Sequence, residues 1–269
     1  MYETFYGFKE RPFALVPDPS FLYLSKGHGT ALTLLRYSIM NRQGFTVVSG
    51  EVGSGKTTLV NRLLDELKTG VTVGLINFTT RTFGDMAEWI MMAYGLPYKN
   101  KGKVELYEDF VQFMIREYAA GRPVVLIVDE AQAISLEGLE TVRLLSNLET
   151  EKRKLLTIVL FGQPELDDRL EAIPQFKTRI SFHDRLRPLK REELAAYLAH
   201  RMMRAGYSPT GRPPFSPRAI RLLYAASAGV PRVVNVVAHK ALMLAYGRGL
   251  HGVGGREMRH AARDTLAAR

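Results

Sequence analysis

The sequence predicts an α/β protein built on a parallel sheet, continued by a small all-helical segment. Three observations carry this. Short apolar runs rich in β-branched residues alternate with helix-period runs over the first two-thirds of the chain. The strand-like runs are apolar at successive positions, as in strands covered on both faces. After Pro188 the strand pattern stops and only helical periods follow.

The elements follow in order. "FTVVSG" (Phe45–Gly50) reads as a first strand, and "TTLVNRLLDEL" (Thr57–Leu67) has apolar residues at helical spacing. "VTVGLINF" (Val71–Phe78) is a second strand. "FGDMAEWIMMAYG" and "VELYEDFVQFMIREYAAG" are helices, the latter closed by Gly121 and Pro123. "VVLIVDE" (Val124–Glu130) is a third strand, "LEGLETVRLLSNLE" a helix and "LLTIVLFG" (Leu155–Gly162) a fourth strand. Beyond Pro188 come "KREELAAYLAHRMMRAG", "SPRAIRLLYAASAG", "RVVNVVAHKALMLAYG" and a short "GREMRHAARDTLAAR", with the loop Ser208–Pro217 among them. This places an α/β core over residues 1–188 and a helical lid over 189–269. The aromatic segment 1–40 is assigned to the core, and its stretch "FYGFKERPF" is expected to pack under an adenine ring or to cap the sheet.

Composition narrows the class. The 269 residues include no cysteine, which excludes disulfides and thiolate metal sites. The six histidines show no metal-ligand spacing. No run reaches the roughly 18–20 apolar residues that cross a bilayer, and "MYETFYGFKERPF" lacks the apolar stretch of a signal peptide. A cytoplasmic protein is expected. The net charge of +10 is uneven: residues 171–269 hold 18 Lys and Arg against 6 Asp and Glu, and residues 1–170 hold 19 against 21. Duplex DNA, an anionic membrane or the acidic face of a neighbouring subunit would use that excess, or the arginines simply solvate helices.

The chemistry concentrates in four places. "GEVGSGKTT" (Gly50, Glu51, Val52, Gly53, Ser54, Gly55, Lys56, Thr57, Thr58) fits G-x-x-x-x-G-K-[ST] between a strand and a helix. Its glycines let main-chain N–H groups curl around phosphates, Lys56 brings a charge to the β- and γ-phosphates, and Thr57 a hydroxyl to Mg²⁺. Asp129 ends a buried strand, where ligands of open parallel sheets bind, and can hold the metal. Glu130 beside it can activate water. Gln163, after the fourth strand, bonds a γ-phosphate or the attacking water, or merely opens a helix with Pro164. "QFKTRISFHDRLRPL" gathers Arg179, Arg185 and Arg187. Either one of them meets a neighbour's γ-phosphate, or all three form surface ion pairs. These features lead to the expectation of a phosphate-loop core that binds ATP and Mg²⁺ and hydrolyses ATP to ADP and phosphate.

Taken in order, "FYGFKERPFALVPDPSFLYLSKGHGTALTLLRYSI", "GEVGSGKTTL", "DEAQ", "GQPEL" and "GVPRVVN" resemble the AAA+ ATPases, and among them the ExeA/GspA-type ATPases of the general secretion pathway, with relatives in pilus and exopolysaccharide export. The resemblance spans nearly the whole chain. It implies a three-layer AAA+ core with a helical lid, ATP lying between them, and an ATP-dependent homo-oligomer, ring or filament. It also implies inner-membrane secretion or export components as partners, with the protein either cytoplasmic or peripheral at that membrane. Gln163 becomes sensor 1, Arg179 the arginine finger with Arg185 in reserve, and Arg232 sensor 2 against the γ-phosphate. Secretion-type members often continue into a transmembrane helix and a peptidoglycan-binding domain. The sequence here stops after the lid, as a soluble paralogue or a piece of a larger protein would. The DNA-handling ATPases of transposition share the core, and the basic lid keeps that alternative open.

Overall fold

The computed structural model describes residues 2–16, 18–67, 70–78, 85–150, 153–208 and 213–267. In chain order these form α1 (Tyr2–Tyr6), α2 (Lys26–Met40), β1 (Phe45–Gly50), α3 (Lys56–Glu66), β2 (Thr72–Asn77), α4 (Met86–Ala93), α5 (Lys103–Ala119), β3 (Val124–Asp129) and α6 (Leu136–Leu145). Then come β4 (Leu156–Gly162), α7 (Pro164–Glu171), α8 (Pro174–Lys177), β5 (Ile180–Leu186), α9 (Arg191–Arg204), α10 (Pro217–Ser227), α11 (Pro231–Tyr246) and α12 (Gly255–Ala267). Phe83 and Gly84, residues 209–212 of the expected loop and the last two residues of the last expected helix lie outside the described residues. The chain divides into two compact units: Gly29–Glu51 with Leu59–Leu186, and Met1–His28 with Val52–Thr58 and Arg187–Arg269.

The first unit is a parallel sheet of order β2-β3-β4-β1-β5. Its register aligns the C-terminal strand ends: Ser49 pairs Gly162, Leu160 pairs Val128, and Asn77 pairs Asp129. The inner strands β1, β3 and β4 are buried at every position. Water therefore never selects a polar face on them, and they read as mainly apolar runs without polar alternation. On one face Val47, Leu126, Val128, Ile158 and Leu160 pack in a core with Ile90, Phe110, Leu139 and Leu166 of α4, α5, α6 and α7. On the other, Ser38 of α2 shares a 2.6 Å hydrogen bond with Thr46 of β1, and Arg36 bridges to Glu66 of α3 at 2.6 Å. Helices thus cover both faces, as the expected three-layer core requires.

The sequence reading stopped at four strands, and the structure adds β5 beside β1. Its inward positions are Ile180, Phe182, Asp184 and Leu186. Asp184 interrupts the apolar alternation, and the arginines of the same stretch drew the eye to chemistry instead.

The second unit packs α9, α10, α11 and α12 around Leu194, Leu223, Val237, Leu242 and Met258. The N-terminal segment belongs to this core. Tyr2, Tyr6, Phe8 and Phe13 are buried in it, each ring worth about 2 kcal/mol in burial. Polar ties fix the segment: Tyr6 donates to Leu250 O at 2.7 Å, Lys9 N to Ala205 O at 2.7 Å and Arg201 Nε to Pro12 O at 2.7 Å. A cut at residue 188 that leaves 1–40 with the sheet therefore misplaces residues 2–28. Their aromatic rings fill the helical unit.

Candidate nucleotide site

The loop from Glu51 to Gly55 links the end of β1 to the start of α3 at Lys56. Gly53 (φ +80°) and Gly55 (φ +103°) take left-handed conformations that side chains resist. Space excludes side chains there as well. A Cβ on Gly53 would lie 2.4 Å from Arg232 Cβ, and one on Gly55 2.8 Å from His28 Nε2. Lys56 is buried, and Thr57 and Thr58 sit half-buried in the first turn of α3. Glu51 and Val52 are exposed, and Gly50 ends β1. Ser54 Oγ is buried with no hydrogen-bond partner among the described residues. A glycine cradle, a buried ammonium, a helix N-terminus and an unsatisfied hydroxyl together suit a phosphate group. Among the described residues no group of three or more His, Asp or Glu could hold a metal ion by itself.

Against the same loop lies the start of α11, whose N-cap is Val230 with Pro231 in the first turn. Gly229 (φ +78°) leaves no room for a side chain, since a Cβ would meet Leu189 O at 2.0 Å. Asn235 is buried and accepts from Tyr197 at 2.7 Å. These two positions of "GVPRVVN" are explained by packing. Arg232 is different: its N–H donates to Gly53 O at 3.2 Å, and the exposed side chain makes no ion pair among the described residues.

In the sheet unit, Asp129 is buried at the end of β3 and its Oδ1 accepts from Glu130 N at 3.0 Å. Glu130 adopts φ 56° and ψ 39°, a left-handed conformation costly for a side chain with a Cβ. Its Oε2 accepts from Gln163 Nε2 at 3.2 Å and also from Gln132 Nε2. Gln132 Oε1 accepts from Gln163 N at 3.0 Å, and the Arg169 guanidinium donates to Gln132 O and Ile134 O. Gln163 is the N-cap of α7 ahead of Pro164, and its side-chain amide donates to Glu130. Gln132, Arg169 and His28 were missed from sequence. Gln132 lay in plain sight in "DEAQ", whereas only the fold brings Arg169 and His28 to the motifs.

The arginines separate. Arg179 precedes β5, its O accepting from Phe45 N at 3.4 Å at the strand-start end of the sheet. Its guanidinium bonds Asn147 Oδ1 and, at 3.4 Å, Ser146 Oγ. Arg185 pairs with Ser49 at the strand-end side and lies 3.8 Å from Glu51. Arg187 is exposed.

Residues 39–170 match the family model described as AAA domain. These residues form an AAA domain with the P-loop NTPase fold. The AAA chain is also 38% identical over 256 residues to general secretion pathway protein A of Aeromonas hydrophila, covering 94% of this chain and 46% of that protein. It spans about half the length of that curated relative. Among solved structures, the AAA fold is similar to the Aeropyrum pernix ORC2 protein (ADPNP-ADP complexes), with TM-score 0.66, 20% identity and coverage of 94% of this chain and 71% of that one. Drosophila ORC bound to DNA gives TM-score 0.68 at 18% identity, covering 96% and 65%. The Walker-type ATPase of Pyrococcus abyssi gives TM-score 0.65 at 15% identity, covering 96% and 77%. At these identities the likeness speaks for the fold alone. No described helix of the AAA chain is long and apolar enough to cross a membrane.

Proposed function

We propose that this chain is a Mg²⁺-dependent ATPase that oligomerises and uses hydrolysis to drive or regulate assembly of an envelope secretion, pilus or polysaccharide-export system. The observation that carries hydrolysis is the placement of Glu130 beside Asp129, with Gln163 holding its carboxylate. The 38% identity to general secretion pathway protein A supports the export setting. In this reading Gly50 to Thr58 wrap the phosphates, and Lys56 balances their charge. Thr57 and Asp129 would hold Mg²⁺, which would supply positive charge against the polyphosphate. Glu130 takes the proton of the attacking water, Gln163 orients it, and Arg232 senses the γ-phosphate. Arg179 acts on a neighbour's nucleotide, since its place at the strand starts lies roughly 16 Å of strand from the ends that bear Asp129.

The test is ATP turnover with Mg²⁺ across protein concentration. Specific activity should rise as subunits associate, and a flat profile would remove the trans arginine. A second reading rests on α12, where Arg256, Arg259 and Arg263 are exposed at i, i+3 and i+7 without ion pairs among the described residues. Duplex DNA would bind such a row, with affinity falling steeply in salt. A gel shift with and without ATP decides it, and no shift at low salt removes the DNA reading.

A further inference from the structure

His28 is buried in the first turn of α2, directly against the phosphate loop. Its Nε2 lies 3.0 Å from Ser54 O and its Nδ1 2.7 Å from Ser25 Oγ. A carbonyl only accepts, so Nε2 carries the hydrogen and donates. In the neutral ring Nδ1 then accepts from the Ser25 hydroxyl, whose oxygen in turn accepts from His28 N at 3.3 Å. The Ser54 carbonyl thereby fixes the tautomer, and the Ser25 hydroxyl satisfies Nδ1 and fixes the orientation of the ring.

The neighbouring carbonyl is held in the same way. Gly53 O accepts from Arg232 N at 3.2 Å. In a trans peptide the C=O and the following N–H point in opposite directions. Drawing Gly53 O toward α11 therefore turns Ser54 N–H away from α11, and drawing Ser54 O toward the imidazole turns Gly55 N–H away from it. Two successive N–H groups between left-handed glycines form an anion-binding nest. Ser54 Oγ, buried and without a partner among the described residues, is independent evidence of a loop held in shape for an acceptor. Both glycines touch their restraints: the missing Cβ of Gly55 leaves room for the His28 ring, and that of Gly53 for the Arg232 side chain.

We propose that His28, set by Ser25, is a positioning residue that preorganises the phosphate loop, so that its N–H groups face the polyphosphate before nucleotide arrives. This rests on the nucleotide-binding reading above. Preorganisation lowers the ordering cost of binding. Its loss therefore falls on nucleotide affinity more than on the chemical step.

The experiment measures equilibrium binding of a fluorescent ATP analogue and of ADP, with kcat and KM for ATP, on wild type, His28→Ala, His28→Gln and Ser25→Ala. His28→Ala should weaken both nucleotides about tenfold, as loss of one hydrogen bond to a buried acceptor does, and raise KM more than it lowers kcat. His28→Gln places an amide N–H near the Nε2 position and should recover most of the affinity. Ser25→Ala should fall between. Unchanged affinity in His28→Ala, or equal losses in the Ala and Gln variants, overturns the proposal. If His28→Ala does not fold, Ser25→Ala decides, with unchanged affinity counting against it. If the wild type binds neither nucleotide, the nucleotide reading falls and this proposal with it.

Discussion

Gln163 Nε2 lies 3.2 Å from Glu130 Oε2, so an amide at the end of β4 grips the carboxylate that follows β3. Each strand end is fixed by the sheet register, so neither side chain needs a flexible loop to find the other. Glu130→Gln keeps the shape and removes the basic oxygen. It should cut single-turnover phosphate release by about 10²–10⁴ while Mg²⁺–ATP still binds. Gln163→Ala should cost about tenfold in kcat, with binding nearly unchanged. Wild-type hydrolysis by Glu130→Gln would remove Glu130 from its role.

Glu130 also holds a left-handed main chain at φ 56°. A glycine takes that conformation without the Cβ penalty. Of two inactive variants, Glu130→Gly should therefore be more stable than Glu130→Ala by about 1 kcal/mol. Urea denaturation of the pair checks this. Equal midpoints would mean that the loop relaxes.

Glu117 of α5 accepts from the Arg122 guanidinium at 2.6 and 2.7 Å and from Thr72 of β2. Arg122 above all holds its carboxyl down at about 2, with Thr72 adding to the effect. A depressed folded-state value stabilises the fold above the unfolded value near ~4.3, and that stabilisation is lost as pH falls toward 2. Glu117→Gln should thus be less stable than wild type at pH 7, with the gap closing between about pH 5 and pH 2. Denaturation midpoints across pH measure it, and a constant gap would reject the ion pair as its source.

Arg179→Ala should lose ATP turnover by at least about 10³, the scale of an arginine acting on transferred phosphate, while still binding ATP. Mixing it with Glu130→Gln should restore activity, because one variant supplies an intact site and the other an intact arginine. No recovery on mixing, with oligomers confirmed by light scattering, would exclude a trans role.

Much of this was legible from residues alone. The phosphate loop is a local device, and its glycine spacing is written in consecutive positions. The inner strands are equally plain, because burial on both faces leaves no polar alternation. What escaped notice depends on contacts distant in sequence. β5 is a marginal strand whose inward Asp184 hides its period. The rings of Tyr2, Tyr6 and Phe13 reveal no destination until α9–α12 are in place. His28 and Ser54 are 26 positions apart, and no spacing rule joins them. Arg179 showed its residue type in the sequence, but only the register shows which end of the sheet it occupies.

That placement has a consequence for symmetry. Asp129 marks one edge of the sheet and Arg179 the opposite edge. A contact that brings the arginine of one copy to the nucleotide of another joins two unlike surfaces. A two-fold pair cannot satisfy it with a single self-complementary patch, and each copy added head to tail leaves one arginine and one site still open. Such a contact has no natural stopping number. It ends only where the rotation per subunit returns to its start, and otherwise it propagates.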